Sequence, residues 1–136
     1  MAIIVTATES ITVGTPVVVQ GDSPESNLSA AFEDDGDTGY FYFLDYGLKG
    51  QPIQDAIHVY NVASVTDKHL TSEVKVAWSL NGLNAILLIN GYPHVAFDSR
   101  NKRAFSRTCF PPPAKSSGWQ HEQWSDEALG LFPDEP

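Results

Sequence analysis

Residues 74–108 read VKVAWSLNGLNAILLINGYPHVAFDSRNKRAFSRT, and this stretch decides the fold. It holds two Asn-Gly pairs, Asn81-Gly82 and Asn90-Gly91, each set between runs of Val, Ile, Leu and aromatic residues. Asn-Gly favours the two-residue type I′ turn, in which both central residues take positive φ. Two such turns join three antiparallel strands, and a third turn near Arg100-Asn101 adds a fourth. Two-residue loops set the register. Leu80 then faces Leu83, Trp78 faces Ala85, Val76 faces Leu87 and Ile89 faces Tyr92, while Ala85 faces Ala96 and Leu87 faces His94. One face of this meander carries Val76, Trp78, Leu80, Leu83, Ala85, Leu87, Ile89, Tyr92, His94 and Ala96, and is the expected core face. The other carries Lys75, Ala77, Ser79, Asn84, Ile86, Leu88, Val95 and Phe97 and is also apolar near its middle. A slip of one residue exchanges the two faces.

Outward from the meander, the chain keeps the same character. AIIVT and PVVVQ read as strands, as do LSAAFED and YFYFLD, and turn residues separate them. IQDAIHVYNV fits either period and is read as a strand. After Cys109 the run FPPPAKSSG holds three consecutive prolines, which cannot donate to a ladder, so the sheet is expected to end there. The tail WQHEQWSDEALGLFPDEP suggests a short helix. Ser125 would cap it, Asp126 and Glu127 suit its first turn, and Trp124 would pack on Leu129. The expected fold is mainly β: one or more antiparallel sheets forming a sandwich or partly open barrel, with a short C-terminal helix. Residues 1–136 form a single domain, of which 110–136 are the Pro-rich tail.

Seventeen acids against eight bases give a formal charge of −9. Such a chain repels phosphate backbones, so no nucleic-acid partner is expected, and a basic protein is electrostatically easier. Acid excess also serves solubility alone. No stretch approaches the length of a membrane span, and MAIIVTATES lacks the basic start and long apolar run of a signal peptide. The single cysteine, Cys109, excludes an internal disulfide. It reads as an inert thiol unless a histidine lies within reach. A cytoplasmic location is expected.

The densest chemistry is FEDDGDTGYFYFLD, residues 32–45, with Glu33, Asp34, Asp35 and Asp37 in five positions. A calcium loop of the EF-hand kind needs acids at its first, third and fifth positions, Gly at the sixth and Glu at the twelfth. No register tried meets this, so no metal and no cofactor is expected. Asp-Gly is a turn dipeptide and Gly39 permits a further positive φ, so the stretch reads either as a solvated hairpin tip or as an acidic contact surface. In the strand that follows, Tyr40, Tyr42 and Leu44 point one way and Phe41, Phe43 and Asp45 the other. Tyrosine suits interfaces, since its ring buries area while its hydroxyl stays polar. The candidate partner-binding residues are Glu33, Asp34, Asp35, Asp37, Tyr40 and Tyr42. Arg100, Lys102, Arg103 and Arg107 crowd eight positions and either hold the acidic tip or leave it free.

A pocket is the alternative. His94 sits beside Leu87 on the expected core face, with Asp98 further along the same side and Trp78 two strands away. His58 approaches if its strand joins the same sheet. His58, His94 and a carboxylate would suffice for acid–base work, although a hydrogen-bonded core histidine is the plainer reading of His94.

Taken together, FEDDGDTGYFYFLD, IHVYNV, VKVAWSLNG, LLINGYPHVAFD and RTCFPPP resemble a bacterial domain-of-unknown-function family numbered 2251, over about residues 27–132. The resemblance implies a small stand-alone bacterial protein. It implies no activity and no catalytic residues. The expected function is therefore a non-enzymatic protein-interaction module that meets a basic partner through the acidic hairpin, one concrete form being a toxin-neutralising immunity protein. A small-ligand or enzymatic pocket around His58 and His94, and a structural homodimer through the Tyr40–Leu44 strand, are the alternatives.

Overall fold

The computed structural model describes residues 1–135. Ten strands form two sheets. In chain order they are β1 Ile4–Ile11, β2 Val17–Asp22, β3 Leu28–Asp34, β4 Thr38–Asp45, β5 Ile53–Asn61, β6 Ser72–Trp78, β7 Asn84–Ile89, β8 Tyr92–Asp98, β9 Arg103–Ser106 and β10 Gln120–Gln123. The larger sheet has the order β1-β6-β7-β8-β9-β10 and the smaller β2-β3-β4-β5. The two pack face to face as a sandwich, and one core cluster draws Val19, Phe32, Phe41, Phe43 and Ile57 from the smaller sheet and Val74, Trp78, Leu87, Val95 and Phe97 from the larger. Each fully buried Phe of this set contributes about 1.5–3 kcal/mol. Trp78 also donates from Nε1 to the Gly21 carbonyl at 3.1 Å, so this core indole is bonded across the two sheets.

The meander forms, with two departures. Asn90 and Gly91 both have positive φ (53° and 77°), as a type I′ turn requires. Asn81-Gly82 instead lies in a four-residue loop, Leu80 to Leu83, closed by Ser79 N–H donating to the Asn84 carbonyl. Only Gly82 of that pair is left-handed. The loop docks on the β2–β3 connection: the Gly82 carbonyl accepts from Ser23 and Ser26, and a Cβ at Gly82 would stand 2.6 Å from Ser23 Oγ. The register Trp78↔Ala85 and Val76↔Leu87 is nevertheless the expected one.

The second departure changes which residues are core. Ile89 faces Tyr92, but Leu87 faces Val95 and Ala85 faces Phe97, because the ladder shifts between Leu87 and Leu88. A bulge at Pro93-His94 absorbs one residue, and proline lacks the N–H that a regular ladder would use there. Val95 and Phe97 therefore turn into the inter-sheet core, while Ala96 turns outward. Within the meander the slip that exchanges faces occurs in β8 alone.

The outer face of the larger sheet is buried as well. Ala77, Ile86, Leu88, Ala96 and Phe105 lie under Ala128 and Phe132, with Trp124 and Leu131 packed beside them. The covering segment is a 3-10 helix, Asp126–Leu131. Ser125 is extended and its side chain makes no capping bond; its carbonyl accepts from Ala128 N–H. The three-residue period of a 3-10 helix stacks Ala128 over Leu131. Leu129, expected against Trp124, is exposed instead. Nor does the sheet end at the prolines. After them β10 returns parallel to β9, from Gln120↔Arg103 to Gln123↔Ser106, and makes the one parallel pairing among the described strands.

Candidate functional site

The β3–β4 hairpin carries the acidic tip, and its carboxylates have different surroundings. Asp34 is fully buried. Its Oδ2 accepts from Gly14 N–H at 2.8 Å and from the Tyr60 hydroxyl at 2.7 Å, and its Oδ1 accepts from Gly36 N–H at 2.8 Å. It ties the β1–β2 turn, its own turn and β5 together, so it is not a partner-binding residue. Asp35 is exposed and accepts from the Asp37 and Thr38 amides at 2.9 Å, which hold its carboxyl below the usual range. Glu33 is half-buried and Asp37 exposed. Left-handed φ falls on Gly36 rather than Gly39. Gly39 lies within β4 beneath the Tyr60 ring, where a Cβ would meet ring atoms at 2.8–3.0 Å.

Two of the four bases in the basic segment, Arg103 and Arg107, are occupied elsewhere, while Arg100 and Lys102 are exposed. Arg103 pairs with Asp98, Glu122 and Glu127 and lies over the Phe105 ring. Arg107 lies between the Tyr92 and Trp124 rings, 4.9 and 4.8 Å from their centroids, and donates to the Pro93 carbonyl. Among the described residues, Glu33, Asp35 and Asp37 make no ion pair.

Alternation in β2–β5 gives the smaller sheet an outer face distinct from the one that Trp124, Ala128 and Phe132 cover, and the tail meets it along β5, where Phe110 packs on His58 and Pro111–Ala114 line a groove with Gln54 and Ala56. One cross-strand row runs Val18–Glu33–Tyr40–His58 and the next Gln20–Ala31–Tyr42–Ala56. The aromatic groups form a strip. Tyr40 and Tyr42 stack at 6.0 Å, His58 meets the edge of Tyr40 at 5.5 Å, and Phe110 meets His58 at 5.8 Å. Val18 and Phe110 are more than half exposed. The Tyr42 hydroxyl points to Glu33 Oε1 at 3.4 Å, and burial together with the Glu33 charge raises its pKa. None of the eight Lys and Arg residues lies in β2–β5.

The expected pocket constellation does not assemble. His58 belongs to the outer strip and bonds Asn61 at 3.0 Å. His94 lines a separate cavity of about 450 Å³ at one open end of the sandwich, with Val59, Tyr60, Ile89 and Tyr92. Asp98 is buried against Arg103 and Asn101, and Trp78 is core. The bulge and the separation of β5 and β8 into different sheets account for the scatter. No cluster of three or more His, Cys, Asp or Glu suited to a metal occurs among the described residues. Burial, with the Arg107 charge, lowers the His94 pKa from 6.5. A histidine kept neutral in this way stabilises the fold above pH 6.5, and that contribution is lost as the pH falls. In a proton NMR titration the His94 ring should titrate below pH 6.5. A midpoint at or above 6.5 would contradict this placement.

Sequence reading missed His121 and Asp55. The buried His121 imidazole faces the Pro111 carbonyl through Nδ1 at 2.6 Å and the Asp55 carboxylate through Nε2 at 2.9 Å. The contact joins β10 of one sheet to β5 of the other.

No helix among the described residues is long and apolar enough to cross a membrane. Comparison with known proteins finds no matching solved structure. A protein of Haemophilus influenzae (strain ATCC 51907 / DSM 11121 / KW20 / Rd), described as "Uncharacterized protein", is 40% identical over 119 residues, spanning 87% of this chain and 74% of that protein. The model of the family described as "Uncharacterized protein conserved in bacteria (DUF2251)" matches residues 11–133, a wider span than the motifs alone suggested, and the chain belongs to that family.

Proposed function

We propose that the chain is a protein-binding module whose docking surface is the outer face of the four-stranded sheet, and that its partner is a basic protein. One observation carries this reading. The larger sheet's outer face is buried under the chain's own C-terminal segment, whereas the smaller sheet presents an aromatic strip and carboxylates with no Lys or Arg in its strands. Aromatic residues are enriched at interface centres, and complementary charge sets partner choice and association rate. A second copy of the chain is the poorer occupant, since two such faces would bring acid against acid at −9 each. A toxin-neutralising protein acting on a basic, nuclease-like toxin is one concrete form, by analogy of class alone. The reading takes the cytoplasm as the compartment, which suits a chain whose one cysteine is free.

The test is capture from the native host at low and at high salt. Captured material should be lost with Glu33→Gln/Asp35→Asn/Asp37→Asn and at an ionic strength of about 1 M, where the Debye length is about 3 Å. It should be retained with His94→Ala. Equal capture by the wild type and the triple variant at both salt levels would overturn the reading.

A second reading takes the His94 cavity as a small-ligand site. It is supported by the cavity's aliphatic lining beside a neutral imidazole. Loss of a captured small molecule with His94→Ala, and not with the triple variant, would favour it.

A further inference from the structure

Resting on the docking reading above, we infer that the strip is an arginine-binding site: Glu33 with the Tyr40 and Tyr42 rings accepts a guanidinium presented by the basic partner. The chain's own arginines show what holds a guanidinium in this fold. Arg103 lies over Phe105 at 5.0 Å while its Nη atoms reach three carboxylates, and Arg107 is held between two aromatic rings. The outer face of the smaller sheet repeats these components without an arginine. Glu33 stands directly across from Tyr40, and the two stacked tyrosine rings lie within 20° of parallel. Glu33 Oε1 already faces the Tyr42 hydroxyl, and no hydrogen bond or ion pair engages Oε2 among the described residues.

The chemistry selects arginine over lysine. A guanidinium is flat and weakly hydrated, so it lies on a ring while its N–H fork meets a carboxylate edge. An ammonium is a compact, strongly hydrated point charge and takes the carboxylate at the expense of the stack. The phenol keeps its proton beside Glu33 and leaves the carboxylate charge for the incoming cation. Asp35 does not share the role, because its oxygens are turned into its own loop.

The experiment uses the full chain, isotope-labelled for NMR, and two probes of equal length and charge: a glycine-spaced tri-arginine peptide and its tri-lysine counterpart. The arginine peptide should bind about tenfold more tightly, with shifts centred on Glu33, Tyr40 and Tyr42. Tyr40→Ala/Tyr42→Ala should abolish the preference while leaving weak binding of both peptides. Asp35→Asn should leave the preference unchanged. Equal affinity of both peptides at this face would overturn the arginine assignment and leave the basic-partner reading standing. Saturable shifts of both peptides on another face, or no saturable shift with either, would overturn both. Formation of a dimer by the free chain through this face, seen by light scattering, would make a second copy the occupant and would also overturn both.

Discussion

Asp34→Ala should destabilise the protein by about 3–5 kcal/mol, although Asp34 lies within a run of acids that reads as surface. The carboxylate is fully buried and accepts from two amides and a phenol. Removing it leaves three part-buried donors without their acceptor, at up to about 1–3 kcal/mol for each such group before relaxation. Tyr60→Phe removes only one donor and should cost about 1–2 kcal/mol. The two changes should be non-additive, since they share a bond. Urea unfolding with an unchanged m value is the measurement, and a loss below about 1 kcal/mol for Asp34→Ala would contradict the assignment.

The same cluster predicts alkaline lability. Burial first, then the bond to Asp34 and its charge, raise the Tyr60 pKa well above the ordinary 10.0. The folded state thus retains a proton that the unfolded chain releases above pH 10. This contribution is complete below pH 10 and declines as the pH rises beyond it. Tyr60→Phe should flatten that decline while lowering stability at neutral pH.

The second large effect is expected at the seam. His121→Ala leaves the Asp55 carboxylate between the sheets without its hydrogen-bond partner, which costs about 1–3 kcal/mol and more where the group left unpaired is charged. Asp55→Ala strands the imidazole with comparable consequences. Replacing both by leucine removes the two polar groups together and should cost less than the single changes combined. Strict additivity in thermal or urea unfolding would show that the pair does not act as one contact. Because the bond joins β10 to β5, hydrogen exchange in Gln120–Gln123 should quicken in either single variant.

The contrast between these residues and the tip explains how far the sequence could be read. The meander was legible because Asn-Gly turns and β-branched residues agree over thirty-odd positions, and the register Trp78↔Ala85 and Val76↔Leu87 follows from them. Its core face failed after His94, since an inserted residue at Pro93-His94 carries no periodic signal. Asp34 could have been separated from Asp35 by parity. It stands in phase with Ala30 and Phe32, the buried face of β3, whereas Glu33 stands in phase with the outward Ala31. β10 was not legible: QHEQ is polar throughout, and its pairing is set by distant partners. His121 was missed for the same reason, its carboxylate partner being 66 residues away in the chain. The 3-10 helix was read in place but not in type, because a short segment ending at Gly130-Leu131 before Pro133 is held by packing on the sheet rather than by helix propensity.

The central claim is that the outer face of the four-stranded sheet binds a basic protein. The most direct measurement places a photo-reactive phenylalanine analogue at Val18, within the strip, and separately at Leu129, exposed on the covering segment of the other sheet. In the native host, Val18 should yield a discrete adduct with a basic protein that disappears with Glu33→Gln/Asp35→Asn/Asp37→Asn, and Leu129 should yield none. An adduct from Leu129 and none from Val18 would contradict the account.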